Sequence, residues 1–228
     1  MRAKGIDGSL DDGADGPLAS GSRSPLSDGA GTSEALTFEV SYVNLADKPE
    51  WFLAISPHGK VPVLVVDGEV LFESNAIAEY LEEVLTPALH PANPIARARH
   101  RAWTDYVPTF SDALGKVTYA RDAESLAEAC EAARTPLGRL EAAVDADGPF
   151  FAGTTLSLVD AGYVPFLMRF LISDALLQTG LLNEFPAVRD WAARLVADAR
   201  VQDSVPGTFA DAYAAVLRRR RTLAGERL

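Results

Sequence analysis

The chain has 228 residues, a hydrophobic content of 48%, a charged content of 23% and a formal net charge of −11. This length suits one large domain or two small ones with a substantial core. An acidic surface repels nucleic-acid phosphates and anionic lipids, so we expect neither nucleic acid nor a membrane as a partner. The single cysteine, Cys130, excludes an internal disulfide framework and is typical of a reducing compartment.

The sequence contains no stretch of about 18 apolar residues, so no membrane-spanning helix is predicted. The first residues also lack the apolar core of a secretory signal. A cytoplasmic protein is therefore expected. The run Arg218–Arg221 is a local exception to the acidic charge. We interpret it as a solvated helix end, where cations complement the helix dipole, and not as a nucleic-acid patch.

Residues 1–33 are rich in Gly, Ser and Asp. They predict a disordered segment, because they cannot bury enough apolar area to offset the entropy lost on ordering. Order is expected to begin at Phe38–Val43, where apolar and polar residues alternate as in a strand. Pro49–Leu53 predicts a short helix with proline in its first turn. We expect Trp51 and Phe52 of this helix in the core.

A β-hairpin is predicted next. Val61–Val66 is a β-branched apolar run, Asp67-Gly68 indicates a tight turn, and Val70–Phe72 supplies the partner strand. Ser74–Leu85 predicts a helix with one apolar face. The proline-rich residues 86–94 predict a linker.

From Ile95 onward the chain is predicted to be helical. One helix has apolar residues at a 4-3-4-3-4 spacing that is typical of a core stripe, namely Leu126, Cys130, Ala133, Leu137, Leu140 and Val144. Pro136 is expected to kink or split this helix. Ser157–Asp160 predicts a helix N-cap with an acidic third position, and Val188–Ala199 predicts a further helix. Strands and a helix followed only by helices indicate an α/β plus all-α fold.

Four segments follow one another in a recognisable order: Asp47–Phe52, Gly59–Leu64, Leu71–Ile77, and Phe151–Gly153 leading into Ser157–Asp160. Together they resemble the glutathione transferase superfamily, over roughly residues 38–206. The Lys-Pro-Glu-Trp-Phe signature is most similar to omega-class and related bacterial enzymes. An unrelated helical scaffold would require four ordered motifs to be coincidence.

The resemblance implies an incomplete thioredoxin-like N-terminal module followed by the C-terminal helical domain of a glutathione transferase. The expected organisation is a disordered segment over residues 1–33, a glutathione-binding module over 34–85, a linker over 86–94, an all-helical domain over 95–217 and a basic tail over 218–228. A homodimer is also implied by the resemblance.

The resemblance further implies that glutathione is the co-substrate and that it is held by Lys48, Val61, Pro62, Glu73 and Ser74. A cis Val61-Pro62 bond, which only proline makes inexpensive, would present the Val61 N–H and C=O to the cysteinyl part of glutathione. The helix start at Ser74 offers N–H groups and a positive dipole end to the γ-glutamyl carboxylate. Glu73 would meet the ligand ammonium, and Lys48 the glycyl carboxylate.

Three of these five residues also have a simpler interpretation. Pro62 suits a trans proline that begins an edge strand. Ser74 suits a plain N-cap, a role compatible with ligand binding. Lys48 suits a solvated surface lysine. Ser157 and Asp160 resemble the buried capping box of the family's helical domain, so we expect them to be structural.

No metal site is expected. His58 lies in a glycine-proline loop and is expected to be exposed. His90 and His100 have no acidic or cysteine partner at ligand spacing in the sequence. Cys130 lies on the core stripe, where a structural thiol is the usual case.

The catalytic residue is unknown from the sequence. In this superfamily a first strand and helix carry a catalytic Ser, Tyr or Cys, and residues 1–36 show no such pattern. The expected consequence is that Phe38–Val43 lacks its sheet partner. A replaced or misread N-terminus, or a degenerate module, would explain the difference.

Two functions are therefore kept open. The first is a glutathione transferase or thiol-transfer enzyme acting on a small electrophile, as in detoxification. The second is a non-catalytic binding or interaction module of the same fold. The electrophilic substrate is not indicated by any residue.

Overall fold

A computed structural model describes residues 38–228. Within this range the chain forms two compact units, residues 38–60 and residues 61–228. The segment predicted to be disordered, residues 1–33, lies outside the described residues.

The first unit contains helix α1 (Glu50–Ile55), with Pro49 as its N-cap residue. Phe52 is buried, as predicted, whereas Trp51 is 51% exposed, so the prediction of a core position is wrong for Trp51. Neighbouring residues of a helix point about 100° apart, so in this short helix Phe52 faces the interior while Trp51 faces outward.

The strand predicted at Phe38–Val43 is not formed. A strand is stable only when its backbone groups bond to a neighbouring strand. Among the described residues the sheet has two strands, and neither pairs with this segment. The alternation of apolar residues is therefore not sufficient here to make a strand.

The second unit begins with the predicted hairpin. Strand β1 (Val63–Val66) pairs antiparallel with strand β2 (Glu69–Phe72). Asp67 and Gly68 form the turn with φ values of 51° and 85°. Two positive φ values in a two-residue turn match the twist of the flanking strands, which explains the Asp-Gly sequence.

Helix α2 (Ser74–Val84) follows the hairpin and packs on both strands. Residues 85–93 contain no helix or strand, as expected for a linker. Thr86-Pro87 is a cis peptide bond that the sequence did not predict. The rest of the unit is helical: α3 (Pro94–Thr118), α4 (Ala123–Glu141), α5 (Leu158–Leu177), a 3₁₀ turn (Leu181–Glu184), α6 (Pro186–Ala197), α7 (Ala199–Gln202), α8 (Phe209–Arg219) and α9 (Leu223–Glu226).

The helical core is centred on α5, which packs against α3 and α6. Helix α5 is apolar on nearly all sides, which is typical of a helix buried in the middle of a domain. The predicted stripe of α4 contributes to the same core, with Ala133, Leu137 and Leu140 fully buried. Helix α4 continues through Pro136, so the proline does not split it, while the kink that was expected as the other outcome stays a prediction. The proline ring is buried there, and packing offsets the one hydrogen bond that proline removes.

Helix α6 begins two residues earlier than predicted. Pro186 occupies its first turn, where a missing N–H is tolerated. The Glu141 carboxylate, at the end of α4, accepts hydrogen bonds from Ala187 N at 3.0 Å and Val188 N at 2.9 Å. A side chain distant in the sequence therefore caps α6. At the other end of the chain, Arg218 and Arg219 lie in the last turn of α8, as predicted for a basic helix end.

Candidate functional site

Four of the five residues expected to hold glutathione lie at one end of the hairpin. Val61-Pro62 directly precedes β1, and Glu73-Ser74 directly follows β2. The ladder pair Val63 and Phe72 joins these two ends. The Val61-Pro62 peptide bond is cis, as the sequence predicts. No hydrogen bond within residues 61–228 uses the backbone N–H or C=O of Val61.

No side chain of residues 61–228 caps the first turn of α2. Its N-cap residue is Glu73, whose side chain makes no capping hydrogen bond, so the interpretation of Ser74 as a plain N-cap is wrong. The Ile77 N–H is the first to bond a carbonyl, Glu73 O at 3.0 Å. No group of residues 61–228 accepts from the three preceding N–H groups, of residues 74–76. Unpaired N–H groups at the positive end of a helix dipole form an anion site.

Glu73 has an unusual backbone conformation, with φ at 65°. Its ψ of 120° places it outside the left-handed helical region, in a sparsely populated conformation that costs a non-glycine residue roughly 1–3 kcal/mol. Residues held in this way are concentrated at ligand sites and switch regions. Glu73 and Ser74 are both exposed, and the Ser74 hydroxyl makes no hydrogen bond within residues 61–228.

The next residue of α2 anchors this turn to the helical domain. Asn75 Nδ2 donates to Asp105 Oδ1 of α3 at 3.1 Å. Because both side chains are exposed, this bond is a modest contribution to stability. It does fix the first turn of α2 against α3.

Lys48, the fifth expected residue, lies in the first unit and is half-buried. In the same unit the Ser56 hydroxyl accepts from Lys60 N and donates to Lys60 O, both at 3.0 Å, which closes the loop between them. Gly59 in this loop has φ at 57°, and a Cβ there would lie 3.9 Å from Lys48 Nζ. His58 is exposed, as predicted. The role of Lys48 stays a prediction.

Ser157 and Asp160 form the reciprocal capping box that the sequence predicts. Asp160 is fully buried. Its carboxylate accepts from Phe151 N, Ser157 N and Trp191 Nε1 at 2.8 Å each, and from the Ser157 hydroxyl at 2.6 Å. Four donors from three residues, Phe151, Ser157 and Trp191, converge on one buried carboxylate, so this pair has a structural role.

His90 has an acidic partner that sequence spacing did not reveal. Its Nε2 lies 2.9 Å from Glu79 Oε1, and its ring lies 5.9 Å from the His100 ring. Among residues 38–228, no group of three or more His, Cys, Asp or Glu side chains is arranged to hold a metal ion.

We expect stability to depend on pH through His100. Burial lowers the pKa of His100 below its ordinary 6.5, and the neighbouring His90 adds to this effect while Asp160 opposes it. As the pH falls, the His100 ring is therefore protonated at a higher pH in the unfolded chain than in the folded chain. The free energy of unfolding should decrease below about pH 6.5, and His100→Gln should reduce that decrease. Urea denaturation across this pH range measures the free energy of unfolding, and His58→Gln, a change at an exposed histidine, is the control. Equal dependence on pH for the unmodified chain, His100→Gln and His58→Gln would contradict the prediction.

Cys130 is half-buried beside the core, close to its predicted position. Burial raises the pKa of its thiol, and the nearby Asp174 adds to this, although Arg134 opposes it. A thiol is reactive only as the thiolate. Cys130 therefore suits a structural role.

Known families and structures match both parts of the chain. The glutathione S-transferase N-terminal domain family matches residues 34–84, and the glutathione S-transferase C-terminal domain family matches residues 123–194. A probable glutathione S-transferase, parC, of Nicotiana tabacum is 30% identical over 175 residues, which covers 75% of this chain and 79% of that protein. The probable glutathione S-transferase GSTU6 of Oryza sativa subsp. japonica is 31% identical over 205 residues, which covers 83% of this chain and 85% of that protein.

Two solved structures are similar. A tau-class glutathione S-transferase from mango, Mangifera indica, has a TM-score of 0.66 at 26% identity, covering 76% of this chain and 83% of that one. Rice GST1 in complex with glutathione has a TM-score of 0.67 at 28% identity, covering 78% of this chain and 83% of that one. The chain therefore belongs to the glutathione S-transferase family.

This membership confirms the predicted fold: a thioredoxin-like N-terminal domain, with a small two-stranded sheet, precedes a helical C-terminal domain. It also confirms the prediction that this chain is a glutathione S-transferase-like protein. The mango protein is of the tau class, and the expected closeness to the omega class stays a prediction. Within residues 38–228, no helix is long and apolar enough to span a membrane.

Proposed function

We propose that this chain binds glutathione at the N-terminus of α2 and transfers it to a small electrophile. The observation that carries the proposal is the first turn of α2, which no side chain of residues 61–228 caps, with the exposed Ser74 beside it. The similar rice structure is a complex with glutathione, which supports the choice of ligand.

Each part of the ligand would meet a group of matching chemistry. The N–H groups of residues 74–76 and the Ser74 hydroxyl would donate to the γ-glutamyl carboxylate. The Glu73 carboxylate would accept from the ligand ammonium. The N–H and C=O of Val61, which make no hydrogen bond within residues 61–228, would bond the cysteinyl backbone beside Pro62 as a short antiparallel bridge. The resemblance assigns the glycyl carboxylate to Lys48, and this role is a separate prediction.

Bound glutathione supplies a thiolate that attacks the electrophile. The described residues hold and orient the peptide, which converts a collision into a reaction between positioned groups. The residue that stabilises the thiolate is unknown. Residues 1–37, where the family's catalytic Ser, Tyr or Cys is expected, lie outside the described residues.

Replacing Ser74 by alanine tests the site. The change removes a hydroxyl that would donate to an anion, and such charge-assisted bonds contribute roughly 1.5–3 kcal/mol. We expect glutathione to bind at least about tenfold more weakly, measured by titration calorimetry. Ser111→Ala is the control, because its hydroxyl donates to Pro108 O within α3 at 3.0 Å and should leave the affinity unchanged.

Absence of glutathione binding by the unmodified chain would contradict the proposal. Binding without turnover of a generic electrophile would instead support the second candidate, a non-catalytic binding module. No observation in the described residues favours that candidate over the first. Homodimerisation, a cytoplasmic location, a role in detoxification and the domain limits 34–85 and 95–217 remain predictions.

A further inference from the structure

The end of α2 is fastened to the linker by two carboxylates one helical turn apart. The Glu82 carboxylate accepts from Leu89 N at 2.8 Å and from His90 N at 2.7 Å. The Glu79 carboxylate bonds the His90 ring through Nε2 at 2.9 Å. Both the backbone and the side chain of one linker residue are thus held by α2.

Helix α3 holds the same region from the other side. Arg101 donates to Glu79 Oε2 through Nε at 3.1 Å and through a terminal nitrogen at 2.5 Å. Arg97 donates to the carbonyls of Pro91 at 3.3 Å and Ala92 at 3.1 Å. Glu79 is the only one of these side chains that bonds both the linker and α3.

The His90 ring connects this cluster to the helical core by packing. Its side chain is only 2% exposed. The ring makes an edge contact with His100 at 5.9 Å between centroids, and His100 makes another with Phe151 at 6.3 Å. Phe151 in turn lies 5.7 Å from Trp191. The contact chain therefore runs from α2 through the linker into the centre of the helical domain.

We propose that Glu79 is a positioning residue, whose bonds to His90 and Arg101 fix the direction of α2 and hence of its open N-terminus. This inference rests on the proposed function. Ser74 lies five residues before Glu79 on the same helix, about 7.5 Å along its axis. A rigid helix transmits a change of tilt at one end to the other. Glu79 itself does not belong to the proposed ligand contacts.

The charge of Glu79 is the critical element. Partial burial opposes ionisation, but hydrogen bonds from Arg101 and His90 outweigh it, so the pKa of the Glu79 carboxyl is lowered. A neutral amide at this position keeps the size of the side chain. It would remove the negative charge that both His90 and Arg101 face, and it would replace one acceptor oxygen by a donor, so that one of the two loses its acceptor.

Glu79→Gln in the full chain tests the inference. We expect about fivefold weaker glutathione binding by titration calorimetry. Hydrogen exchange should also become faster at the amides of α2 and at Leu89 and His90. Glu83→Gln is the matched control, because Glu83 is an exposed glutamate of the same helix and its loss makes the same change in net charge. It should alter neither measurement.

Glutathione affinity tests the proposed function, and hydrogen exchange tests the role of Glu79 independently of it. If the unmodified chain binds no glutathione, the proposed function fails, while the exchange data still test the role of Glu79 in holding α2. Unchanged exchange and affinity in Glu79→Gln would overturn the inference, as would a loss of affinity without faster exchange. If Glu79→Gln does not fold, Arg101→Gln serves instead, since its side chain is 48% exposed. It should weaken binding about twofold, and wild-type affinity with wild-type exchange would again overturn the inference.

Discussion

Replacing Asp160 by alanine is expected to lower the free energy of unfolding by about 4 kcal/mol. The carboxylate is fully buried and accepts four hydrogen bonds, two of them from Phe151 N and Trp191 Nε1. Its removal leaves buried donors without an acceptor, and each such donor costs roughly 1–3 kcal/mol. Urea denaturation followed by tryptophan fluorescence measures the change.

Two further variants sharpen this prediction. Asp160→Asn should recover only part of the loss, because its amide nitrogen would point at groups that already donate. Asp112→Ala is the control: Asp112 pairs with Lys116 at 2.8 Å, with both side chains more than 60% exposed. An exposed pair contributes at most about 1 kcal/mol. Equal losses for Asp160→Ala and Asp112→Ala would show that the buried network does not hold the helical domain together.

Leu137→Ala should lower the free energy of unfolding by about 3 kcal/mol. Leu137 lies on the core stripe of α4 and is fully buried. Truncation removes apolar contacts and leaves a cavity that the surrounding helices fill only in part. The change is again measured by urea denaturation, as a shift of the midpoint with an unchanged dependence of the unfolding free energy on urea concentration.

The control for this cavity is Leu85→Ala. Leu85 follows α2 and is 38% exposed, so its truncation creates no enclosed cavity and should cost under about 1 kcal/mol. A Leu137→Ala loss no larger than the Leu85→Ala loss would mean that the α4 stripe is not tightly packed.

Features with local causes were predictable from the sequence. The hairpin follows from Asp67-Gly68 between two apolar runs, because this dipeptide adopts the positive φ values that the turn needs. The capping box follows from Ser157 and Asp160 three residues apart. The grouping of Pro62 with Ser74 followed from the order of the motifs, which the resemblance supplied.

Features that depend on tertiary packing were not predictable. Trp51 and Phe52 are both strongly apolar, and only the direction of α1 decides which of them is buried. His90 and Glu79 are eleven residues apart, across a helix end and a linker, so no periodic pattern joins them. The positive φ of Glu73 left no signal either, because glutamate is not a residue that favours this conformation.

The half-buried thiol of Cys130 has a practical consequence for spectroscopy. It is the only cysteine of the chain, and its raised pKa keeps it mostly protonated near neutrality. A cysteine introduced on the surface, for example at the exposed Ala193 of α6, would react with a maleimide dye much faster. A fluorophore can therefore be attached at one chosen position while the native residue is kept.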